Sequence, residues 1–358
     1  MSDILIRQAE PEDGPALVAA IAAIDAETEF LGRPGEYGEW PEKASERLKT
    51  WREKDCGGYV LAIADGEIVG FLSIFRGGLK RVAGAGTIPH VGLRAAHRGQ
   101  GIGGKLFEAA EAWARSHDMH RLELRVDEEN ARGRALYRRM GFEVEGTIPR
   151  AVDWDGSWRT HLVMAKRFRD FPPFVAESEP PLPPRGSLDG IEIRTERPED
   201  AAMIRAWETQ LLAERPWAFK QVDEVSSEQE IREGIERNAG KARRLVLLAL
   251  AGEGPEARVL AILGAGFAEH RMRGECHVGV DVLLGNRGRG IGGELYARAE
   301  RWARENGARR LTTFPATLNR RGIHFAEGRG FRPEVLAPAA AVIDGKGVDR
   351  LRMGKLID

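Results

Sequence analysis

Apolar positions along this chain fall into two rhythms, and their order predicts its elements. "ILIR" at Ile4 to Arg7 reads as a short strand, and Asp13 to Trp51 carries a mostly helical spacing, interrupted at "LGRPGEYG" by a proline and glycines. "YVLAIADGEIVGFLSIF" is two apolar runs joined at Asp65-Gly66, a dipeptide that predicts a tight β-hairpin. "TIPHVGL" follows as a strand, then a glycine-rich turn, then a helix on which Ile102, Leu106, Ala110 and Trp113 line one face. "RLELRV", a short helix from Asn130 to Met140, and strands ending in "RTHLVMAK" complete the run.

The same order returns later in the chain. "ILIRQAEPED" at Ile4 is echoed by "IEIRTERPED" at Ile191, and "HRGQGIGGKL" at His97 by "NRGRGIGGEL" at Asn286. An offset of 189 residues also pairs Trp113 with Trp302, Asn130 with Asn319, Gly141-Phe142 with Gly330-Phe331, and Met164 with Met353. Ile291, Leu295, Ala299 and Trp302 repeat the helical stripe. Two units of one architecture therefore stand in tandem, residues 1–169 and 190–358. The stretch 170–189 between them holds six prolines and predicts an extended linker. Each unit is expected to be α+β in layers, a mixed and mostly antiparallel twisted sheet flanked by helices.

Composition narrows the function. With 358 residues, a net charge of -1, 42% hydrophobic and 30% charged positions, the chain fits two ordinary globular domains. Near-neutrality argues against nucleic acid as a partner. The longest aliphatic run, "LVLLALA" from Leu245, is too short for a membrane span and reads as a buried strand. The N-terminus has no signal-peptide layout, and Cys56 and Cys276 show neither a disulfide framework nor metal-ligand spacing. A cytoplasmic location, no bound metal, and a monomer or homodimer are the expectations.

The glycine turn carries the chemistry. Between a strand and a helix N-terminus, several backbone N–H groups lack partners, and Gly99, Gly101, Gly103 and Gly104 let a ligand approach them. That arrangement is an anion cradle, and Arg98 adds a guanidinium suited to phosphate. Gly99-x-Gly101-x-x-Gly104 also satisfies the dinucleotide fingerprint, so an NAD(P)-dependent oxidoreductase is an alternative. A dinucleotide domain begins with that motif, however, whereas about ninety residues and a hairpin precede it here.

Arg98-Gly99-Gln100-Gly101-Ile102-Gly103 resembles the R/Q-x-x-G-x-G/A turn of the GNAT superfamily of N-acetyltransferases. Arg287-Gly288-Arg289-Gly290-Ile291-Gly292, with Gly293 after it, is similar. "NARGRALYRRMGF" resembles that superfamily's N-x-x-[AG]-x-x-L-Y-x-x-x-G-F segment at Asn130, Gly133, Leu136, Tyr137, Gly141 and Phe142. The two motifs stand in the right order, and the resemblance spans nearly all of both units.

The resemblance implies acetyl-CoA as cofactor, its pyrophosphate held by backbone amides of Arg98 to Gly104. It further implies that the strand before the turn splays from the strand after the helix, with pantetheine entering near Leu93. It places Tyr137 as the general acid that protonates the leaving thiolate. Asn130 has two readings, a cofactor contact and a helix cap. His90, on the strand expected to face the acceptor, is the candidate base; Glu36, Asp153 and His161 are weaker candidates. The acceptor expected is a primary amine of a small molecule or a peptide. In the second unit Ala326 replaces Tyr137, so that unit is expected to bind cofactor through Arg287 to Gly293 and Asn319, or to serve a structural role, without that phenol. A non-catalytic acyl-CoA-binding sensor is the alternative from another functional class.

Overall fold

A computed structural model of the chain describes residues 3–32, 40–154, 156–176, 183, 186–252, 254–268, 272 and 274–357. The chain divides into two compact units. One comprises Met1–Ala151, Gly156–Pro172 and Ala339–Gly347, the other Val152–Asp155, Pro173–Pro338 and Val348–Asp358.

In the first half of the chain the elements run β1 (Leu5–Gln8), α1 (Gly14–Asp25), α2 (Trp40–Glu53), β2 (Gly57–Ala64), β3 (Glu67–Arg76), β4 (Ala85–Ile88), β5 (Val91–Leu93), α3 (Ile102–Ser116), β6 (Arg121–Asp127), α4 (Ala131–Arg139), β7 (Glu143–Trp154) and β8 (Ser157–Arg167). The strand order is β1-β2-β3-β4-β6-β8-β7, with β5 also paired to β3. The pairing of β4 with β6, the two strands that flank α3, is parallel, whereas β1 with β2, β2 with β3, β3 with β4 and β6 with β8 are antiparallel. Asp65 and Gly66 both adopt positive φ, 50° and 83°, as a two-residue hairpin turn of this kind requires.

Alternation along β2 explains the layers. Val60 and Ala62 point to one face, where they pack with Ile102, Leu106 and Ala110 of α3; Tyr59 and Leu61 point to the other, against Leu17, Ile21 and Ile24 of α1 and Leu48 of α2. The α3 residues are at most 1% exposed, so truncating Leu106 to alanine removes contacts worth about 2–5 kcal/mol.

In the second half, β9 (Ile191–Thr195), α5 (Ala201–Ala213), α6 (Glu228–Asn238), β10 (Arg244–Ala251), β11 (Arg258–Phe267), β12 (Glu275–Val282), α7 (Ile291–Glu305), β13 (Arg310–Thr313), α8 (Arg320–Glu327), β14 (Arg332–Ile343) and β15 (Lys346–Leu356) repeat the plan. Here too a single parallel register, β12 with β13, brackets the helix that follows the glycine turn. The aliphatic run from Leu245 is β10, with Leu248 and Ala249 fully buried.

The repeated "IRxxxPED" has a physical cause. Asp13 takes a two-pronged bond from Arg7 at 2.6 and 2.7 Å and caps the Glu10 N–H at 2.7 Å. Asp200 does the same with Arg194, at 2.7 Å twice, and the Arg197 N–H at 2.7 Å. Each aspartate ties the first strand to the start of the first helix.

Position 121 shows a second shared feature, a charge buried completely. Arg121 is 0% exposed and donates to Glu145 at 2.7 Å and Glu123 at 3.3 Å. Its counterpart Arg310 donates to Glu334 at 2.5 and 2.6 Å. Removing one partner of such a pair leaves the other charge desolvated and alone. Arg121→Ala should therefore lower the stability of the first unit by about 3–5 kcal/mol, read as a shift of its urea midpoint. A shift worth less than about 1 kcal/mol would show that water reaches Glu145 in the native state.

Candidate functional site

The site is built where two parallel strands part. β4 pairs with β6 from Ala85 opposite Arg121 to Ile88 opposite Leu124, and there the pairing stops. The cause is a one-residue bulge. Phe75 of β3 faces Thr87, but Leu72 faces Val91, so the stretch between them holds one residue more than β3 does. Pro89 lies in that stretch and has no N–H to give a ladder. Ser73 bridges the irregularity, donating its N–H to the His90 carbonyl at 2.9 Å and accepting the His90 N–H on its hydroxyl at 3.0 Å.

Beyond the bulge, β5 follows β3 alone. The bonds of Ser73 to His90 and of Arg94 to Val69 fix the alternation, so Gly92 faces β3 while Val91 and Leu93 turn their backbone groups into the gap toward β6. The Leu93 carbonyl accepts Arg98 Nε at 2.9 Å. The Leu93 N–H and both polar groups of Val91 keep no partner among the described residues. They form a short row of peptide groups that an extended, amide-bearing ligand can pair with, as a strand would.

The glycine turn closes one end of this gap. Gly99 and Gly101 adopt φ of 78° and 80°, a conformation other residues reach only with strain of about 1–2 kcal/mol. A Cβ on either would meet nothing within 4 Å, so the concave side is open. The first capped amide of α3 is that of Lys105, bonded to the Gly101 carbonyl at 3.3 Å. The N–H groups from Gly99 to Gly104 have no acceptor among the described residues, which fits the turn to an anion. Gly103 serves packing instead: a Cβ there would lie 3.0 Å from Leu136, where α4 crosses the first turn of α3.

A carboxylate not singled out from the sequence orients this turn. Glu27, just past α1, accepts the Ala95 N–H at 2.5 Å and Arg94 Nε at 2.8 Å, and lies 3.7 Å from Arg98. The Ala95 amide, with Arg94 and Arg98, holds its carboxyl below the usual range. Glu214 repeats the clamp on the Leu284 N–H at 2.8 Å. The signal for it was an acid recurring at the 187-residue offset of the N-terminal motif.

Tyr137 lies inside α4, its ring 5.5 Å from that of Phe107 and 6.4 Å from that of Phe142. Burial pushes its phenol up to about 12, and its hydroxyl has no hydrogen-bond partner among the described residues. Asn130 caps α4, its side chain accepting the Gly133 N–H at 2.8 Å; Asn319 caps α8 through Gly322 at 3.0 Å. The cap therefore occupies the Oδ1 of both residues. Gln100 bonds the Ala96 carbonyl at 3.0 Å. His90 is half-buried within the bulge, His161 stands opposite Asp127 on β8, and Asp153 is exposed. Glu36 lies outside the described residues.

The second unit keeps the turn and loses the irregularity. Gly288 and Gly290 repeat the positive φ, at 80° and 86°, and Arg287 Nε binds the Val282 carbonyl at 3.1 Å as Arg98 binds that of Leu93. β12 also parts from β13 beyond His277 opposite Thr312. Yet its register on β11 is unbroken from Phe267 opposite Cys276 to Ala261 opposite Val282, with no bulge and no proline. Ala326 is buried where Tyr137 stands. A phenol stands elsewhere in this unit's core: Tyr296 of α7 replaces Phe107. Burial and the charge of Glu300 raise its pKa, and Glu300 lies one turn farther along α7 from the glycine turn.

The acetyltransferase (GNAT) family model matches residues 23–142 and again 209–331. L-methionine sulfoximine/L-methionine sulfone acetyltransferases of Pseudomonas aeruginosa and Pseudomonas paraeruginosa are 28% identical over 158 residues, 43% of this chain and 88% of theirs. Among solved structures, a GNAT-family acetyltransferase from Streptococcus pneumoniae is 30% identical, covering 46% of this chain and 99% of its own, at a TM-score of 0.44. A Salmonella typhimurium acetyltransferase solved with its cofactor acetyl-CoA is 19% identical, covering 46% and 94%, at a TM-score of 0.40.

The open side of the turn makes a direct prediction. Gly101→Val should add backbone strain of about 1–2 kcal/mol and place a side chain in the cradle, so affinity for coenzyme A should fall by about a hundredfold or more while the chain stays folded. Calorimetric titration beside a thermal unfolding curve checks both; unchanged affinity would place the phosphates elsewhere.

Proposed function

This chain belongs to the acetyltransferase (GNAT) family, whose domain it carries twice, and from that premise we propose that its acetyl-CoA-dependent N-acetylation takes place in the first unit. Two observations carry the assignment, the bulge at Pro89-His90 and the buried Tyr137 on α4, and neither has a counterpart at the matching positions of the second unit. The acceptor we propose is a primary amine of a small molecule or a peptide. The methionine sulfoximine acetyltransferases support the small-molecule form.

The residues divide the work as follows. The amides of Gly99 to Gly104, with Arg98 held by Leu93 and Glu27, receive the pyrophosphate. Val91 and Leu93 pair with the pantetheine amides and bring the thioester up to the bulge. Bound acetyl-CoA supplies an activated acyl carbon. An alkyl amine with a pKa near 10.4 must lose a proton before it attacks, at about 4–5 kcal/mol at neutral pH, and His90 or a water it holds accepts that proton. As the C–N bond forms and the C–S bond breaks, Tyr137 gives its hydroxyl proton to the sulfur.

Burial acts on Tyr137 in two ways. At about 12 the phenol is protonated in essentially every molecule at neutral pH, so the donor is always loaded. Transfer to a thiolate of pKa near 8.5 is uphill by about 5 kcal/mol, so it has to be coupled to a proton returning from the amine nitrogen. Protons then balance: two leave the nitrogen, one to His90 before attack and one after it that restores Tyr137, whose own proton has gone to the thiol.

Topology argues against the nicotinamide alternative, because the turn follows an antiparallel hairpin and joins strands that pair in parallel over only a few residues. A sensor would bind without turnover, and release of free thiol with an amine panel separates it from an enzyme.

Two outcomes are expected. Tyr137→Phe should lower kcat about 10²- to 10⁴-fold with the cofactor Kd nearly unchanged, whereas Ala326→Gly should leave thiol release as it was. Wild-type turnover in Tyr137→Phe, where chemistry limits the rate, would remove the phenol from the mechanism. The pH profile should rise as amine and base lose protons. Because Tyr137 remains protonated until the pH nears 12, its ionisation should contribute no falling limb over the alkaline range below that, and a limb that Tyr137→Phe abolished there would contradict the buried phenol.

A further inference from the structure

The second glycine turn is open at Gly290, where a Cβ would meet nothing within 4 Å as at Gly101, but it is covered at its first left-handed glycine. A Cβ on Gly99 would meet nothing within 4 Å, while on Gly288 it would lie 3.4 Å from the Pro183 carbonyl oxygen. Arg289, between the two left-handed glycines, donates Nε to the Ser187 carbonyl at 3.1 Å, and its side chain packs on Gly186, where an added Cβ would lie 2.8 Å from Cγ. Three residues of the proline-rich linker thus lie on the turn at the N-terminus of α7. In the first unit the matching Gln100 bonds only its own turn, through Ala96.

We infer that the linker, through Pro183, Gly186 and Ser187, is a built-in occupant of the second anion cradle, competing there with the phosphates of coenzyme A. The contact is chemically matched. A proline offers a carbonyl acceptor and no N–H, while the N–H groups from Gly288 to Gly293 have no acceptor among the described residues. The six prolines of the linker restrict the free segment, so seating it costs little chain entropy.

The cradle beneath remains suited to an anion. Arg287 and Arg289 flank it, and the Arg329 guanidinium comes within 2.8 Å of the Cβ position of Gly293, where the first unit has the Met140 sulfur at 4.0 Å. A pyrophosphate makes charged hydrogen bonds that a neutral carbonyl does not, so it can displace the strap at high concentration. At low concentration the chain takes one coenzyme A, in the first unit. This step rests on the first-unit reading for the location of that single site.

Calorimetric titration with coenzyme A tests the inference on the full chain and on a chain whose residues 180–187 are replaced by an equally long Gly/Ser sequence. The native chain should show one site and the replaced chain two, the second weakened by at least about tenfold when Gly290→Val is added. Turnover should be the same in both. Two equal sites in the native chain, one site in both chains, or loss of the native chain's site on Gly290→Val would each overturn the strap. The first-unit reading fails separately: it falls if Gly101→Val leaves both the native site and turnover intact.

Discussion

Everything in the first site depends on peptide groups left unpaired where β4 and β6 separate. A sheet normally satisfies its backbone internally, and a row of free N–H and C=O groups inside a fold carries a real energetic cost. A ligand with amides of its own, bound as proposed above, would complete the ladder and offset that cost. Pro89 enforces the arrangement by denying the ladder a donor at the point of separation, and Ser73 contains the damage with two bonds to His90. The gap is a local defect held in place by an otherwise well-packed sheet.

The two units show how narrow the difference between binding and chemistry is. Both have a left-handed glycine pair, an arginine locked to the strand carbonyl, an acid clamping the preceding turn and an asparagine cap. Only the first has the bulge and a phenol on the helix that follows the asparagine cap. The first unit carries its aromatic hydroxyl on α4, at Tyr137, and the second on α7, at Tyr296, next to the charge of Glu300. Phenol content is thus equal at these positions, and placement alone distinguishes them.

Much of this was legible in the sequence. The Asp65-Gly66 hairpin, the stripe on α3 and the glycine turn are encoded by local periodicity and by residues whose backbone preferences are extreme, so each could be read from a few neighbours. The clamp by Glu27 was not, because it joins residues 67 and 68 positions apart and an exposed-looking acid carries no period. The bulge was partly legible: Pro89 within an apolar run was its signal, but the extra residue emerges only when β3 is set beside it. Asn130 kept two readings because capping and ligand contact favour the same side chain, and the cap is what the fold displays. Buried Arg121 was hidden for a different reason, since an arginine in a strand is ordinarily solvated and its partner Glu145 lies on another strand.

The asparagine caps and buried arginine pairs that recur at Asn319 and Arg310 have a wider meaning. A duplicated chain keeps, in its second copy, whatever is needed to remain folded, and is free to drift in whatever serves only turnover. Residues common to both halves, the glycine turn with its arginine and acid clamp as well as the caps and buried pairs, mark what the two copies retain, and those confined to one half mark where they have parted. The protein thus contains its own internal control, in which each half is the reference against which the other is read.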